Sequence, residues 1–188
     1  MLRHRMDVLE AIESRSSAKK FTDEVPSRAR IEALLHAAAR APDHGSLAPW
    51  RFAVMQGDAR ALLGDAMVAA LRERMPEADV ETCERERSKA FRSPVLIAVA
   101  AAPREHPKVP EIEQIVAVGA AIENLLLAAR GMGLATMWKT GSHAYHPAVR
   151  RALGFDDTEK IIGFVHVGVA QVLAPVRHAD IGPVTRWL

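Results

Sequence analysis

Apolar residues recur with helical spacing in some stretches of the chain and form short continuous runs in others. Ile31, Leu34 and Leu35 follow the i, i+3, i+4 spacing of an amphipathic helix, which Ser27 can cap at its start and Pro42 must end. The same reasoning predicts helices over residues 6–14, 58–74, 80–91, 111–130 and 146–153.

The continuous apolar run from Val95 to Ala101 is typical of a strand buried on both faces. Shorter runs predict strands over residues 51–55, 134–138 and 160–169. Residues 170–188 show little periodicity, although the aromatic Trp187 near their end suggests docking against another surface. This order of elements, helices first and then strands separated by helices, predicts a mixed sheet flanked by helices.

The helix predicted over residues 111–130 is apolar nearly all round, so it should lie in the core or at a subunit interface. A bilayer-spanning helix needs about 20 predominantly apolar residues. Because Gln114, Glu123 and Asn124 interrupt this segment, we interpret it as a buried helix and expect no membrane association.

Composition limits the remaining possibilities. A length of 188 residues fits one domain over residues 1–188, and a formal charge of +2 gives no support for a nucleic-acid partner. The single cysteine, Cys83, excludes an intrachain disulfide and a cysteine-cluster metal site. Residues 1–7 hold no apolar run suited to a secretory signal, so we expect a cytoplasmic protein.

The first candidate for chemistry follows the first predicted helix. Arg15 and Ser17, with Lys19 close behind, suit a phosphorylated ligand, because arginine can bind phosphate oxygens bidentately while serine donates beside it. The alternative is a solvated helix end, in which Arg15 complements the helix dipole and Ser17 caps locally.

The second candidate is the segment from Arg40 to Trp50. Pro42 and Pro49 stiffen this turn, and rigid loops often carry function. Arg40 would also be expected in a last helical turn for purely electrostatic reasons, and His44 could simply be exposed. The residues alone leave both readings open.

The third candidate closes the strand predicted over residues 134–138. Lys139 and Thr140 would face an opening there, whereas Trp138 could simply be a core residue. His143 and His146 suggest a metal pair, as in a metal-dependent hydrolase, but no third ligand is evident nearby. We therefore predict no metal site.

Taken together, the chain resembles the nitroreductase family, in particular its small bacterial members of minimal length. The resemblance is carried by the order of these segments: Arg15-Ser16-Ser17, Arg40-Ala41-Pro42-Asp43-His44, Pro49-Trp50, Ala90-Phe91-Arg92-Ser93-Pro94, His106 to Pro110, Trp138-Lys139-Thr140-Gly141, and Ile162-Gly163-Phe164 with Gly168. It implies an α+β, nitroreductase-like fold with a central mixed, mainly antiparallel sheet. It also implies an intertwined homodimer that binds FMN at the subunit interface.

The resemblance assigns flavin-binding roles to residues in all three candidate segments. These residues are Arg15, Ser16, Ser17, Lys19, Arg40, His44, Trp138, Lys139 and Thr140. The first four would surround the phosphate, the ribityl chain and the pyrimidine edge of FMN. Arg40 and His44 would contribute partly from the partner subunit, and the last three would line the flavin from the strand end. Ser16 stands where many relatives have a second arginine, so the affinity for the phosphate would depend more heavily on Arg15.

The implied activity is ping-pong hydride transfer from NAD(P)H through FMN to a small electron-poor acceptor, such as a nitroaromatic compound or a quinone. The resemblance identifies no obligatory acid or base among the side chains. Two alternatives stay open at this point: a flavin-binding sensor or storage module without turnover, and a flavin-dependent enzyme that acts on another substrate.

Overall fold

The structure is a computed structural model and describes residues 6–188. Residues 1–5, which belong to the segment searched for a secretory signal, lie outside the described part. The helices are α1 (Val8–Ser14), α2 (Arg28–Ala38), α3 (Arg60–Arg74), α4 (Val80–Arg87), α5 (Glu111–Gly131) and α6 (Pro147–Ala152). The strands are β1 (Ala18–Phe21), β2 (Trp50–Gln56), β3 (Val95–Ala101), β4 (Ala135–Lys139), β5 (Lys160–Gly168) and β6 (Ala170–Leu173).

The main sheet has four strands in the order β2-β3-β5-β4, and every neighbouring pair is antiparallel. All seven residues of β3 are buried, as its continuous apolar run predicts. β1 and β6 form a second, antiparallel pair. A parallel bridge between Ser17 and Thr136 joins the start of this pair to the edge strand β4. The predicted α+β class with a mainly antiparallel sheet is confirmed.

Helix α5 lies at the centre of one of the two hydrophobic cores. Its Val118, Ile122 and Leu125 are fully buried against α2 and against one face of the sheet. By length and composition alone α5 could cross a membrane, but 44% of its most apolar window is buried inside the protein. The prediction of a buried helix is therefore confirmed for this face of α5.

The opposite face of the sheet packs on α3 and α6. Leu63 and Met67 of α3 meet Leu96 of β3 and Phe164 of β5 in a second core. The two faces of the sheet thus have separate cores, and the side chains of β4 and β5 alternate between them.

The sequence patterns did not predict two of the strands, β1 and β6. In β1 only Ala18 is buried and both lysines are exposed, so its pattern does not predict a strand. It forms because it pairs with β6, about 150 residues away along the chain, where Ala18 lies opposite Leu173.

The prediction of a single helix over residues 80–91 was wrong. α4 ends at Arg87, and a 3-10 turn follows in which Ser88 Oγ donates to the carbonyl oxygen of Arg85 at 2.9 Å.

Candidate functional site

The end of α1 holds Arg15 against α5. Arg15 caps the helix in an extended conformation, and its guanidinium lies 3.9 Å from the carboxylate of Glu123. One residue earlier, Ser14 Oγ accepts a hydrogen bond of 2.9 Å from Arg130 Nε of α5. The Arg15 side chain is still 30% exposed. It is therefore positioned by the helix end and remains open to a ligand.

Arg15, Ser16 and Ser17 line a cavity of about 610 Å³, which we call the Arg15 cleft. Its other wall is the segment after β6, which contributes Arg177 and His178. The amide of Ala174 donates to the carbonyl oxygen of Ser17 at 2.8 Å and so holds this segment in place. Two guanidinium groups and two serine hydroxyls thus converge on one cavity, an arrangement suited to a phosphate group.

Sequence analysis missed Arg177 because residues 170–188 show no helical or strand periodicity. Recognising β6 as a strand would have predicted the position of Arg177. Once Ala170–Leu173 is paired with β1, the residues that follow it must return past the end of α1.

A second row of predicted site residues continues from the Arg15 cleft along β1 and β4. From the isolated parallel bridge between Ser17 and Thr136, Lys19 lies two residues further along β1 and Trp138 two residues further along β4. Two residues of strand span about 7 Å. Lys19 and Trp138 therefore each lie about 7 Å along the strand from the bridge, whose Ser17 also lines the Arg15 cleft.

The indole of Trp138 packs over Gly163 on the neighbouring strand β5. A Cβ atom at position 163 would lie 2.0 Å from the indole Nε1, so only glycine leaves room for this ring. Trp138 remains 38% exposed, which corrects the alternative that it is simply a core residue. Its ring is held in place and still presents a face to solvent.

Lys139 and Thr140, at the end of β4, line a different cavity of about 420 Å³ between the sheet and α3. Lys139 lies opposite Phe164 in the strand register, and His166 of β5 forms part of the same wall. We call this space the His166 cavity. It lies on the α3 side of the sheet, whereas Trp138 faces α5.

His166 is buried, and its imidazole is held in one tautomer. Ser93 Oγ donates its hydrogen to the carbonyl oxygen of Val95 at 2.6 Å and lies 2.9 Å from His166 Nδ1. Because the hydroxyl has only one hydrogen, we assign the Nδ1 hydrogen to His166, which donates it to Ser93. Burial first, and then the positive charges of Arg92 and Lys139, together lower the pKa of His166 to about 4.

Because the pKa of His166 is low in the folded protein, we predict that the protein loses stability as the pH falls. The unfolded chain takes up a proton on this histidine near pH 6.5, whereas the folded chain does so only near pH 4. The unfolded state therefore binds more protons than the folded state between these two pH values. The contribution of His166 to the free energy of unfolding is complete above about pH 6.5, and it falls by about 3 kcal/mol as the pH drops to 4. Urea unfolding of wild type and His166→Gln across this range measures it. The variant should lose this part of the slope, whereas the exposed control His36→Gln should keep it. An equal slope in all three proteins would contradict the assignment.

His44 lies at the opposite end of α5, whereas the amide of Arg40 donates to the carbonyl oxygen of Ala37, which also accepts from Asn124 Nδ2 of α5 at 3.3 Å. His44 Nδ1 is 2.7 Å from the carboxylate of Glu113 in the first turn of α5, whereas Arg15 lies beside Glu123. Ten helical residues separate these carboxylates by about 15 Å along the axis. Within one chain, the structure therefore does not bring His44 together with the Arg15 cleft.

The loop that carries His44 holds a strained backbone. Ser46 and Ala48 have φ angles of 52° and 47°, in the left-handed region that favours glycine. The side chain of Asp43 fixes this shape, since its Oδ2 accepts from the amide of Ala48 at 2.6 Å. Its other oxygen, Oδ1, is buried and has no hydrogen-bond partner within residues 6–188. Strain of this kind costs about 1–3 kcal/mol per residue and is concentrated at functional sites.

His143 and His146, the pair considered for a metal, have other contacts. His146 Nδ1 accepts from the amide of Ala148 and caps α6, while its Nε2 lies 3.1 Å from Glu73. The ring of His143 packs against Phe164. Across the part of the chain that the structure describes, no three metal-ligating side chains come together. These contacts assign both rings to the scaffold.

Comparison with known proteins identifies relatives of this chain. A sequence model described as the nitroreductase family matches residues 12–169. The Escherichia coli protein YdjA, whose provisional name is NAD(P)H nitroreductase, is 34% identical over 173 residues, which cover 90% of this chain and 91% of YdjA. A Haemophilus influenzae protein with the same provisional name is 34% identical over 166 residues, covering 87% and 88%.

Solved structures share the fold. A nitroreductase-like family protein from Bacillus cereus superposes with a TM-score of 0.85 at 24% identity, covering 100% of this chain and 99% of its own. A nitroreductase with bound FMN from Bacteroides fragilis gives a TM-score of 0.74 at 24% identity, covering 97% and 99%. The likeness therefore extends over the whole set of elements that forms the Arg15 cleft.

Proposed function

The chain belongs to the nitroreductase family, and from this membership we propose that it is an NAD(P)H-dependent oxidoreductase that uses FMN. Its acceptors are nitroaromatic compounds, quinones or related electron-poor molecules, which take electrons in the second half of a ping-pong cycle. The observation that carries the proposal is the convergence of Arg15, Ser16, Ser17 and Arg177 on one cavity.

The Arg15 cleft fits the phosphate end of FMN. Both guanidinium groups can form charge-assisted hydrogen bonds with phosphate oxygens, and the hydroxyls of Ser16 and Ser17 can donate beside them. Glu13 also lines this cleft and is the one carboxylate among its lining residues, where it faces two arginines and two serines. The donor set therefore matches a dianionic group.

The surface beyond the cleft fits the rest of the molecule. From the phosphate, β1 and β4 lead past Lys19 to Trp138, and then to Lys139 and Thr140. With FMN bound, Lys19 and Lys139 would hold the ring end of the cofactor and place positive charge beside it. FMN, when bound, supplies the electron-transfer chemistry, which amino-acid side chains cannot provide. We assign no side chain as an obligatory proton donor.

A second copy of the chain completes the site. α5 buries one face in the core but leaves Ile112 and Val116 more than 60% exposed, one helical turn apart. On α1, Val8, Leu9 and Ile12 are also exposed. A soluble protein rarely leaves so much apolar surface without a partner. An intertwined homodimer covers these faces and brings the partner's Arg40–His44 loop towards the Arg15 cleft.

Anaerobic absorbance spectroscopy tests the activity. The purified protein should be yellow, NADH or NADPH should bleach it, and a nitroaromatic compound or a quinone should restore the colour. Repeated cycles separate an enzyme from a flavin-binding sensor or storage module, because only the enzyme sustains NAD(P)H oxidation. A colourless protein that takes up no added FMN would contradict the proposal.

A further inference from the structure

Glu113 holds the imidazole of His44 from the first turn of α5. Its Oε2 lies 2.7 Å from His44 Nδ1. The start of a helix favours a negative charge, and an ionised carboxylate can only accept hydrogen bonds. We therefore assign the hydrogen of this contact to His44 Nδ1, and the contact fixes both the tautomer and the orientation of the ring.

The other ring nitrogen of His44, Nε2, is available to a ligand. Across the part of the chain that the structure describes, the His44 side chain forms its hydrogen bond through Nδ1 alone. The side chains of His44 and Glu113 are 72% and 40% exposed. A pair as exposed as this contributes little to folding stability. The contact therefore orients a solvent-facing ring without holding the fold together.

Other residues hold the loop that carries His44. Asp43 fixes its shape through the amide of Ala48. Gly45 has a φ angle of 72° and packs on Val109, where a Cβ atom would lie 3.3 Å from Val109 Cγ2. Removing the carboxylate of Glu113 should therefore free the ring of His44 and leave its loop in place.

Gln114, the neighbour of Glu113, holds Val109 in turn. Gln114 is 1% exposed, and its Nε2 donates to the carbonyl oxygens of Arg104 at 2.8 Å and Val109 at 3.2 Å. Its Oε1 accepts from the amide of Arg104 at 2.9 Å. Two consecutive residues of α5 thus fix the ring of His44 and the segment beneath its loop.

We propose that Glu113 is a positioning residue of the flavin site: it holds His44 with the hydrogen on Nδ1, so that Nε2 is the nitrogen presented to the FMN bound by a second copy of the chain. This inference rests on the proposed function and goes beyond it, because Glu113 does not itself contact the cofactor. It acts through the ring of His44 on the affinity for FMN.

Titration of apoprotein variants with FMN tests this role. His44→Ala and Glu113→Ala should each weaken FMN binding about three- to tenfold, the range expected for one lost hydrogen bond. Glu113→Gln should restore most of the affinity, because its amide oxygen can still accept from Nδ1. The double alanine variant should bind FMN no more weakly than His44→Ala, since both changes act through one ring.

Glu111→Ala is the matched control. Glu111 lies in the same helical turn as Glu113 but pairs with Lys160. Its removal deletes one carboxylate from the start of α5 and should leave the affinity for FMN unchanged.

NMR of the histidine ring nitrogens gives a readout that a purely structural role would not move. In holoprotein labelled with nitrogen-15 and recorded at alkaline pH, where imidazole is neutral, wild-type His44 should carry its hydrogen on Nδ1. In Glu113→Ala the form with the hydrogen on Nε2 should gain population, while the thermal unfolding temperature stays the same.

A wild-type His44 with its hydrogen on Nε2 would overturn the inference, and so would equal FMN affinities of Glu113→Ala and Glu111→Ala. Additive losses in the double variant would overturn it as well, because Glu113 would then act by another route. A Glu113→Ala protein that no longer forms a dimer would also overturn it, since the residue would then belong to the subunit contact. A wild-type protein that binds no FMN would instead contradict the proposed function.

Discussion

Replacing Arg15 with alanine is expected to weaken FMN binding by about ten- to a hundredfold. Loss of a hydrogen bond to a charged group typically costs about 1.5–3 kcal/mol, which corresponds to this range. Folding should be little affected, because the exposed Arg15–Glu123 pair at 3.9 Å is a weak one. Titration of the apoprotein with FMN, followed by quenching of the flavin fluorescence, gives the affinity.

Riboflavin makes this experiment specific to the phosphate. It has the same ring and ribityl chain, so its affinity should be nearly equal in wild type and Arg15→Ala. Arg28→Ala, an exposed arginine paired with Glu32 on α2, is the matched control for loss of one positive charge. An Arg15→Ala protein with wild-type affinity for FMN would remove this residue from the site.

Placing a carboxylate at position 116 is expected to separate the subunits and to release the flavin with them. Val116 is 63% exposed on a helix whose other face is core, and a two-fold interface would contain it twice. Burying two unpaired charges costs several kcal/mol, so the dimer dissociation constant should rise more than about a hundredfold in Val116→Asp. Flavin affinity should fall as well, because the Arg40–His44 loop then belongs to a separate molecule.

Val80→Asp is the control for this variant. Val80 is a 75% exposed valine on α4, outside the proposed interface. It should remain a dimer and retain FMN. A Val116→Asp protein that sediments as a dimer would show that α5 does not form the contact, and a monomer that keeps full flavin affinity would show that one chain contains the whole site.

The parts of the fold that the sequence predicts are those whose burial is decided locally. β3 is apolar at every position, and α5 is apolar nearly all round, so their burial follows from the residues themselves. β1 and β6 are different. Their residues are mostly exposed, and each strand exists only because the other lies beside it. No pattern within either segment could have predicted that pairing.

The same distinction applies to the candidate site. Arg15 and His44 stand out in the sequence because each follows a helix end or lies between prolines. Arg177 lies in a segment without periodicity, and only the β1–β6 pairing brings it to the Arg15 cleft. The separation of His44 from Arg15 along α5 is likewise a property of the fold, since both segments lie within the first 50 residues.

Sedimentation velocity of the protein with added FMN, recorded in the protein band and in the visible flavin band, tests the shared site most directly. Our account requires the visible absorbance to move with a species of twice the chain mass and to reach one flavin per chain. Visible absorbance that stays with free FMN, or that moves with a single chain, would contradict it.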